Sequence, residues 1–274
     1  MSEPITRLSE SAVAGAAAGL AASRAEVVRM LTQDDLPYDD GDWSERTANL
    51  RMPTQDDLPY DDGEPMESER HLYQMMLLIE TLKQHWAGRD DFFIGGNMAV
   101  YFSSEQVKKK DFRGPDFFLV LDVDGKRERK SWVVWEEGKS PDLVIEFLSE
   151  STAEFDREGK KQIYSSQLRV SEYYYYDPFS GELAGFNLDC ISYLPIEPTL
   201  GPDKQEQVVS CVTGLALTRW TGEYLGVTGE WLRWQTLDGK LLPTQKERAR
   251  QEHERAELLA AKLRELGIDP ATLA

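Results

Sequence analysis

The chain has 274 residues, 41% of them apolar, with 49 acidic and 31 basic side chains and a net charge of −18. That is enough for one substantial core, and the excess of carboxylates counts against a broad phosphate-binding surface built from clustered Lys and Arg. Two cysteines, Cys190 and Cys211, are too few for a disulfide framework and are expected to be reduced core residues of a cytoplasmic protein.

Residues 1–65 carry 14 acidic and 5 basic residues, half of the net charge, and Tyr38 is the single aromatic before position 43. The apolar stretch from Ala12 to Ala22 is too short for a membrane span, and its leader sets Arg7 against Glu3 and Glu10, which does not suit a signal peptide. The segment TQDDLPYDDG stands at 32–41 and again at 54–63. Acidic, proline-containing and poor in apolar residues, 1–65 is expected to form a disordered extension, with a linear docking motif as the sharper alternative.

From Met66 the pattern changes. Leu72, Met75, Met76, Ile79, Leu82 and Trp86 recur at helical spacing, with Glu67 and Glu69 where the helix dipole favours them. Short apolar runs follow at 92–102, 116–123, 132–135, 142–148 and 172–177, separated by Gly, Pro and charge, as strands require. Between the last two runs, Asp156, Lys160 and Tyr164 lie four apart, predicting a helix between strands and so an α/β core. Hairpin-like segments and short edge strands are expected to about 236. The charged segment 245–266, with Ala249, Ala256, Leu259, Leu263 and Leu266 on one seam, predicts a C-terminal helix or coiled coil that self-associates as a homodimer or packs on the core. The expected division is 1–65, 66–236 and 237–274.

Within the strand at 142–148, alternation puts Leu143, Ile145 and Phe147 on one face and Asp142, Val144, Glu146 and Leu148 on the other. Glu146 therefore stands among apolar neighbours, and a buried carboxylate needs a cation, a hydrogen-bond network or a shifted pKa. Asp116, at the mouth of the preceding strand, and Lys160, on the following helix, are placed to converge with it. Two carboxylates offer the hard oxygen ligands that Mg²⁺ takes, while a Glu in a strand opposite a Lys on a packed helix is more often a structural ion pair. The basic run Lys108, Lys109, Lys110 and Arg113 is a solvated loop, or a local stripe able to attract phosphate.

The blocks GPDFFLV, SPDLVIEFLSEST, DREGKKQIY and VSEYYYYDP, in this order and spacing over roughly residues 66–236, resemble the Uma-type family of bacterial restriction-endonuclease-like proteins, placed in the PD-(D/E)xK nuclease superfamily. The resemblance implies a mixed β-sheet flanked by helices and a Mg²⁺- or Mn²⁺-dependent endonuclease acting on DNA. Carried over, Asp116 matches the aspartate of the PD motif and Glu146 the second acidic residue, both as metal ligands and catalytic residues. The superfamily lysine normally stands two residues past that Glu, where this chain has Leu148, which points to Lys160 as the third catalytic residue, with Lys161 adjacent. Asp142 is read as a turn or capping residue. A nuclease fold retained for binding or assembly is the alternative. No membrane association is expected.

Overall fold

The computed structural model describes residues 52–60, 67–103, 114–149 and 155–269. The first copy of the repeat, the basic run at 108–113 and the side chain of Asp156 lie outside the described residues.

Helix α1 (Glu69–His85) starts where the Ser68 side chain accepts a hydrogen bond from the His71 amide, with Glu69 in the first turn and Lys83 and His85 in the last. Its buried residues are His71, Gln74, Leu77, Leu78, Thr81 and Leu82. The face expected from apolar spacing is displaced, because Leu72 and Met76 are exposed. Polar Gln74 turns inward instead: its amide nitrogen donates to the Leu232 carbonyl and its oxygen accepts from the Leu232 amide, both at 2.9 Å. Such pairing makes a buried amide tolerable, and hydrophobic periodicity does not register it.

Strands β1 (Phe92–Gly95), β3 (Phe117–Leu121), β5 (Leu143–Phe147), β6 (Glu172–Tyr176), β7 (Leu183–Asp189) and β8 (Ser192–Pro195) form a six-stranded sheet in the order β1-β3-β5-β6-β7-β8. Only β5 and β6 pair in parallel, and the other neighbours are antiparallel. A parallel pair needs a crossover. Helical segment α3, residues 155–168, lies within it: Phe155–Lys160 and Tyr164–Leu168 are wound as π-helix around an α-helical Lys161–Ile163.

Each face of this sheet has its own core. Leu143, Ile145 and Phe147 of β5 pack with Phe117 and Leu119 against Leu78 and Leu82 of α1 and against a second, antiparallel sheet. That sheet runs β12-β11-β10-β9, built from β9 (Thr199–Leu200), β10 (Glu206–Ser210), β11 (Leu215–Tyr224) and β12 (Val227–Gln235). On the opposite face Val144, Phe118 and Val120 pack with Tyr164 and Leu168 of α3. The alternation read from 142–148 is thus the division between the two cores.

Three sequence expectations are corrected. The run at 132–135 is not one strand: β4 (Trp132–Val133) pairs in parallel with β2 (Val100–Tyr101), and the chain then turns into helix α2 (Val134–Glu137), ended by Gly138 at φ 72°. The cause is a charge cluster, in which Arg129 grips both oxygens of Glu137 at 2.9 Å and so holds the carboxylates of the short helix over the loop. The segments 214–220 and 231–242, expected as short strands or edge pieces, contribute to longer strands: β11 and β12 form a hairpin of ten- and nine-residue strands with β12 at the sheet edge, closed by Leu225 and Gly226, both at positive φ. Cys190 and Cys211 are exposed, the first at a positive-φ turn position, rather than in a core.

Residues 52–60, expected within the acidic extension, are packed on the body, with Leu58 buried. The C-terminal helix forms as α4 (Gln245–Glu265), opened by a capping box in which Thr244 and Glu247 serve each other's backbone amides. None of its residues is buried. No helix among the described residues is long and apolar enough to cross a membrane.

Candidate active site

β3 and β5 run antiparallel with Phe117 opposite Ile145. One residue further out, Asp116 lies across from Glu146. The Asp116 side chain fixes this junction by accepting a hydrogen bond from the Phe147 amide at 2.7 Å. Glu146 is buried, 1% exposed, on the sheet face that α3 covers. From that segment Lys160 reaches one carboxylate oxygen at 3.1 Å and the Tyr164 hydroxyl donates to the other at 2.5 Å. The structure therefore brings Asp116, Glu146 and Lys160 together. Lys161 goes elsewhere, its ammonium 3.6 Å from the centre of the Phe186 ring.

The electrostatics follow from burial. Asp116 has its carboxyl pushed well above the usual range, first by desolvation and then by the charge of Glu146, with Lys160 pulling the other way. Burial, reinforced by Glu146, pushes the Tyr164 phenol well above its ordinary value, so Tyr164 remains a donor. Two carboxylates face one ammonium, which leaves a net negative site that a proton on Asp116 would neutralise and a divalent cation would make positive.

Around this group, Glu67 contributes to the upward shift of Asp116 and is itself held by His71 at 3.2 Å and by the Ser149 hydroxyl at 2.9 Å. His71 also contacts the Leu148 carbonyl at 3.2 Å. Tyr164, Glu67 and His71 are the residues that sequence reasoning did not assign to the site. For Tyr164 a signal existed, since it stands four residues from Lys160. Glu67 reads from sequence only as a helix-dipole residue.

Asp142 is at the far end of β5, where its side chain accepts from the Leu121 amide at 2.8 Å and pairs with Lys139 at 3.0 Å, a strand-end cap as expected. Glu80 is also remote, accepting from the Tyr224 hydroxyl and the Gln245 amide and so tying α1 to β11 and α4.

The donor set suits Mg²⁺ better than a softer metal. No cluster of three or more His, Cys, Asp or Glu at metal-holding spacing occurs among the described residues. A two-carboxylate site, completed by water and phosphate oxygens, is the pattern Mg²⁺ accepts.

No curated protein matches the chain. The crystal structure of a protein from Anabaena variabilis, described as "a putative nuclease belonging to DUF820", is 16% identical, with a TM-score of 0.37, covering 55% of this chain and 89% of that one. The model of the Uma2 family, described as "Putative restriction endonuclease", matches residues 46–219. That span is more than half of the chain and contains Asp116, Glu146, Lys160 and Tyr164, and the chain belongs to the Uma2 family.

Proposed function

We propose that the chain is a metal-dependent endonuclease that hydrolyses phosphodiester bonds in DNA, with Asp116 and Glu146 holding Mg²⁺ or Mn²⁺ and Lys160 assisting. The observation that carries this reading is the convergence, at the ends of β3 and β5, of two carboxylates facing one ammonium in a site that raises the proton affinity of Asp116. Perturbed carboxylates beside a specific charge partner are what a site poised for metal and acid–base chemistry requires.

A bound divalent ion would supply Lewis acidity toward a phosphodiester oxygen and a water of lowered pKa. The residues of the chain do the rest. Asp116 is anchored by the Phe147 amide, and Glu146 is oriented by Tyr164. The Lys160 ammonium, 20% exposed, stands at the rim, where it can orient water or counter charge on the phosphate. DNA is the proposed partner, and since both the protein and the unliganded site are net negative, its approach relies on the bound divalent ion, whose charge reverses the sign of the site.

A second reading, a nuclease fold kept for binding or assembly, draws support from Glu146 itself, since each of its oxygens already has a partner. Cleavage of supercoiled plasmid separates the two. Nicking by the wild type with Mg²⁺, abolished by chelator and by Asp116→Asn, is the expected outcome. A wild type inert with both Mg²⁺ and Mn²⁺ on duplex and single-stranded DNA would decide for the binding module.

A further inference from the structure

Residues 52–60 lie on a surface made by β2, β4 and α2, outside the two large sheets. Leu58 is buried in a cluster with Ala99, Tyr101 and Val133, with Trp135 packed against it. The Trp135 indole donates to the Pro53 carbonyl at 2.7 Å, and the Tyr101 hydroxyl donates to the Pro59 carbonyl. Gln55 is read twice: its amide donates to Glu136 and its side-chain oxygen accepts from the Lys130 amide, both at 2.9 Å. Lys130 also pairs with Asp56 at 2.9 Å.

The docked segment is braced by its own turn. Asp57 accepts from the Thr54 amide and hydroxyl at 2.9 and 2.8 Å, while its own amide donates to the Thr54 carbonyl at 3.0 Å. A ligand that holds its own turn loses less entropy on docking. Buried Leu, bridged Gln, paired Asp and two gripped carbonyls amount to sequence-selective recognition of Thr-Gln-Asp-Asp-Leu-Pro.

The sequence supplies this ligand twice. RMPTQDDLPYDDG at 51–63 has a counterpart in RMLTQDDLPYDDG at 29–41, and the single difference, Leu31 for Pro53, falls at a residue whose backbone carbonyl, which any residue supplies, accepts from the Trp135 indole. Each molecule thus carries one such surface and two ligands for it.

We propose that the β2–β4–α2 surface is a docking site for the Thr-Gln-Asp-Asp-Leu-Pro peptide, and that its partner is a second copy of this chain, whose surplus segment replaces the resident one. The incoming segment makes the same interactions as the one it displaces, so mass action decides the exchange. The resident segment acts at an effective concentration on the order of millimolar. Disabling it lowers the concentration at which another molecule competes.

The test uses the full chain and a fluorescent synthetic TQDDLPYDDG peptide. The double change Leu36→Asp/Leu58→Asp, which disables both ligands the chain carries, should bind the peptide, and should bind a peptide with Asp in place of its Leu at least roughly tenfold more weakly, as expected for loss of one buried leucine. Adding Trp135→Ala to this double change should also weaken binding. In sedimentation, Leu58→Asp should show concentration-dependent association that the double change Leu36→Asp/Leu58→Asp abolishes. Leu58→Ala, alone and with Leu36→Ala, serves in the same experiments if Leu58→Asp does not fold. Absence of peptide binding in Leu36→Asp/Leu58→Asp and in Leu36→Ala/Leu58→Ala overturns the docking site, and a sedimentation mass of the Leu58 variant that stays monomeric at every concentration overturns the second copy as its partner.

Discussion

Tyr164 donates its phenolic hydrogen to Glu146 over 2.5 Å, while Lys160, one turn earlier on α3, holds the other oxygen of the same carboxylate at 3.1 Å. The segment carrying both is π-wound on either side of a single α-helical stretch. Wide turns of this kind recur at functional sites. Here the winding delivers two donors to one buried anion. With Tyr164→Phe, a buried carboxylate oxygen loses its donor, and ion-free stability should fall by about 1–3 kcal/mol. If Glu146 takes a metal, saturating Mg²⁺ should recover part of that loss. Urea denaturation with chelator and with Mg²⁺ measures both.

Asp116 gives a pH prediction whose sign is fixed by its environment. Its carboxyl is raised in the folded protein, so the folded state binds this proton more tightly than the unfolded chain. The resulting stability is fully present below the ordinary aspartate value of 3.8 and is lost as pH rises through the folded-state value. Asp116→Asn keeps an oxygen for the Phe147 amide and removes the titration. Its stability relative to wild type, measured with chelator, should therefore increase as pH rises across that window and then level off. A difference that does not vary with pH would show that Asp116 is not perturbed in this way.

The parts of this arrangement that a period-two pattern carries were legible in the sequence. Parity along 142–148 separates Glu146 from the α1-facing core, and Gly-Pro before Asp116 marks the strand mouth. What escaped has a physical reason in each case. Gln74 and His71 are buried because they bond to backbone on other elements, at Leu232 and Leu148, and such partners are invisible to local hydrophobicity. Trp132 and Val133 are strand residues while Val134 and Trp135 are helical, a change dictated by Arg129 and Glu137 rather than by β-propensity. Leu58 looked like part of an acidic tail because its burial depends on Tyr101 and Val133, more than forty residues away.

The hairpin of β11 and β12 offers a stability test independent of the site. Tyr224 pairs with Val227 across a two-residue turn in which Leu225 adopts φ 48° and Gly226 φ 84°. A turn with two positive φ angles favours Asn-Gly, and a branched side chain in the left-handed region costs roughly 1 kcal/mol or more. Leu225 is 55% exposed, so little burial is at stake. Leu225→Asn should raise the melting temperature by about 2–4 °C, as read by calorimetry, with nuclease activity unchanged.

Glu146→Gln distinguishes the two accounts of the central carboxylate. It preserves shape and one acceptor while removing the charge that faces Lys160 and Tyr164. In a purely structural ion pair, the change leaves the ammonium uncompensated, at a cost of about 3–5 kcal/mol for a fully buried pair. Lys160 is 20% exposed, which puts the expected cost at the lower end, and the cost would not depend on added metal. In a metal site, the wild type should gain about 2.7 kcal/mol at a Mg²⁺ concentration about a hundred times its dissociation constant. Glu146→Gln should lose that gain, while its ion-free stability changes little because removing one carboxylate also relieves the repulsion with Asp116. Melting of both proteins, each with chelator and with excess Mg²⁺, reads all four values. The expected pattern is a wild type raised by the ion and a mutant indifferent to it; a wild type indifferent to Mg²⁺ together with a mutant that melts far earlier would make Glu146 a structural residue and leave the nuclease assignment without its metal ligand.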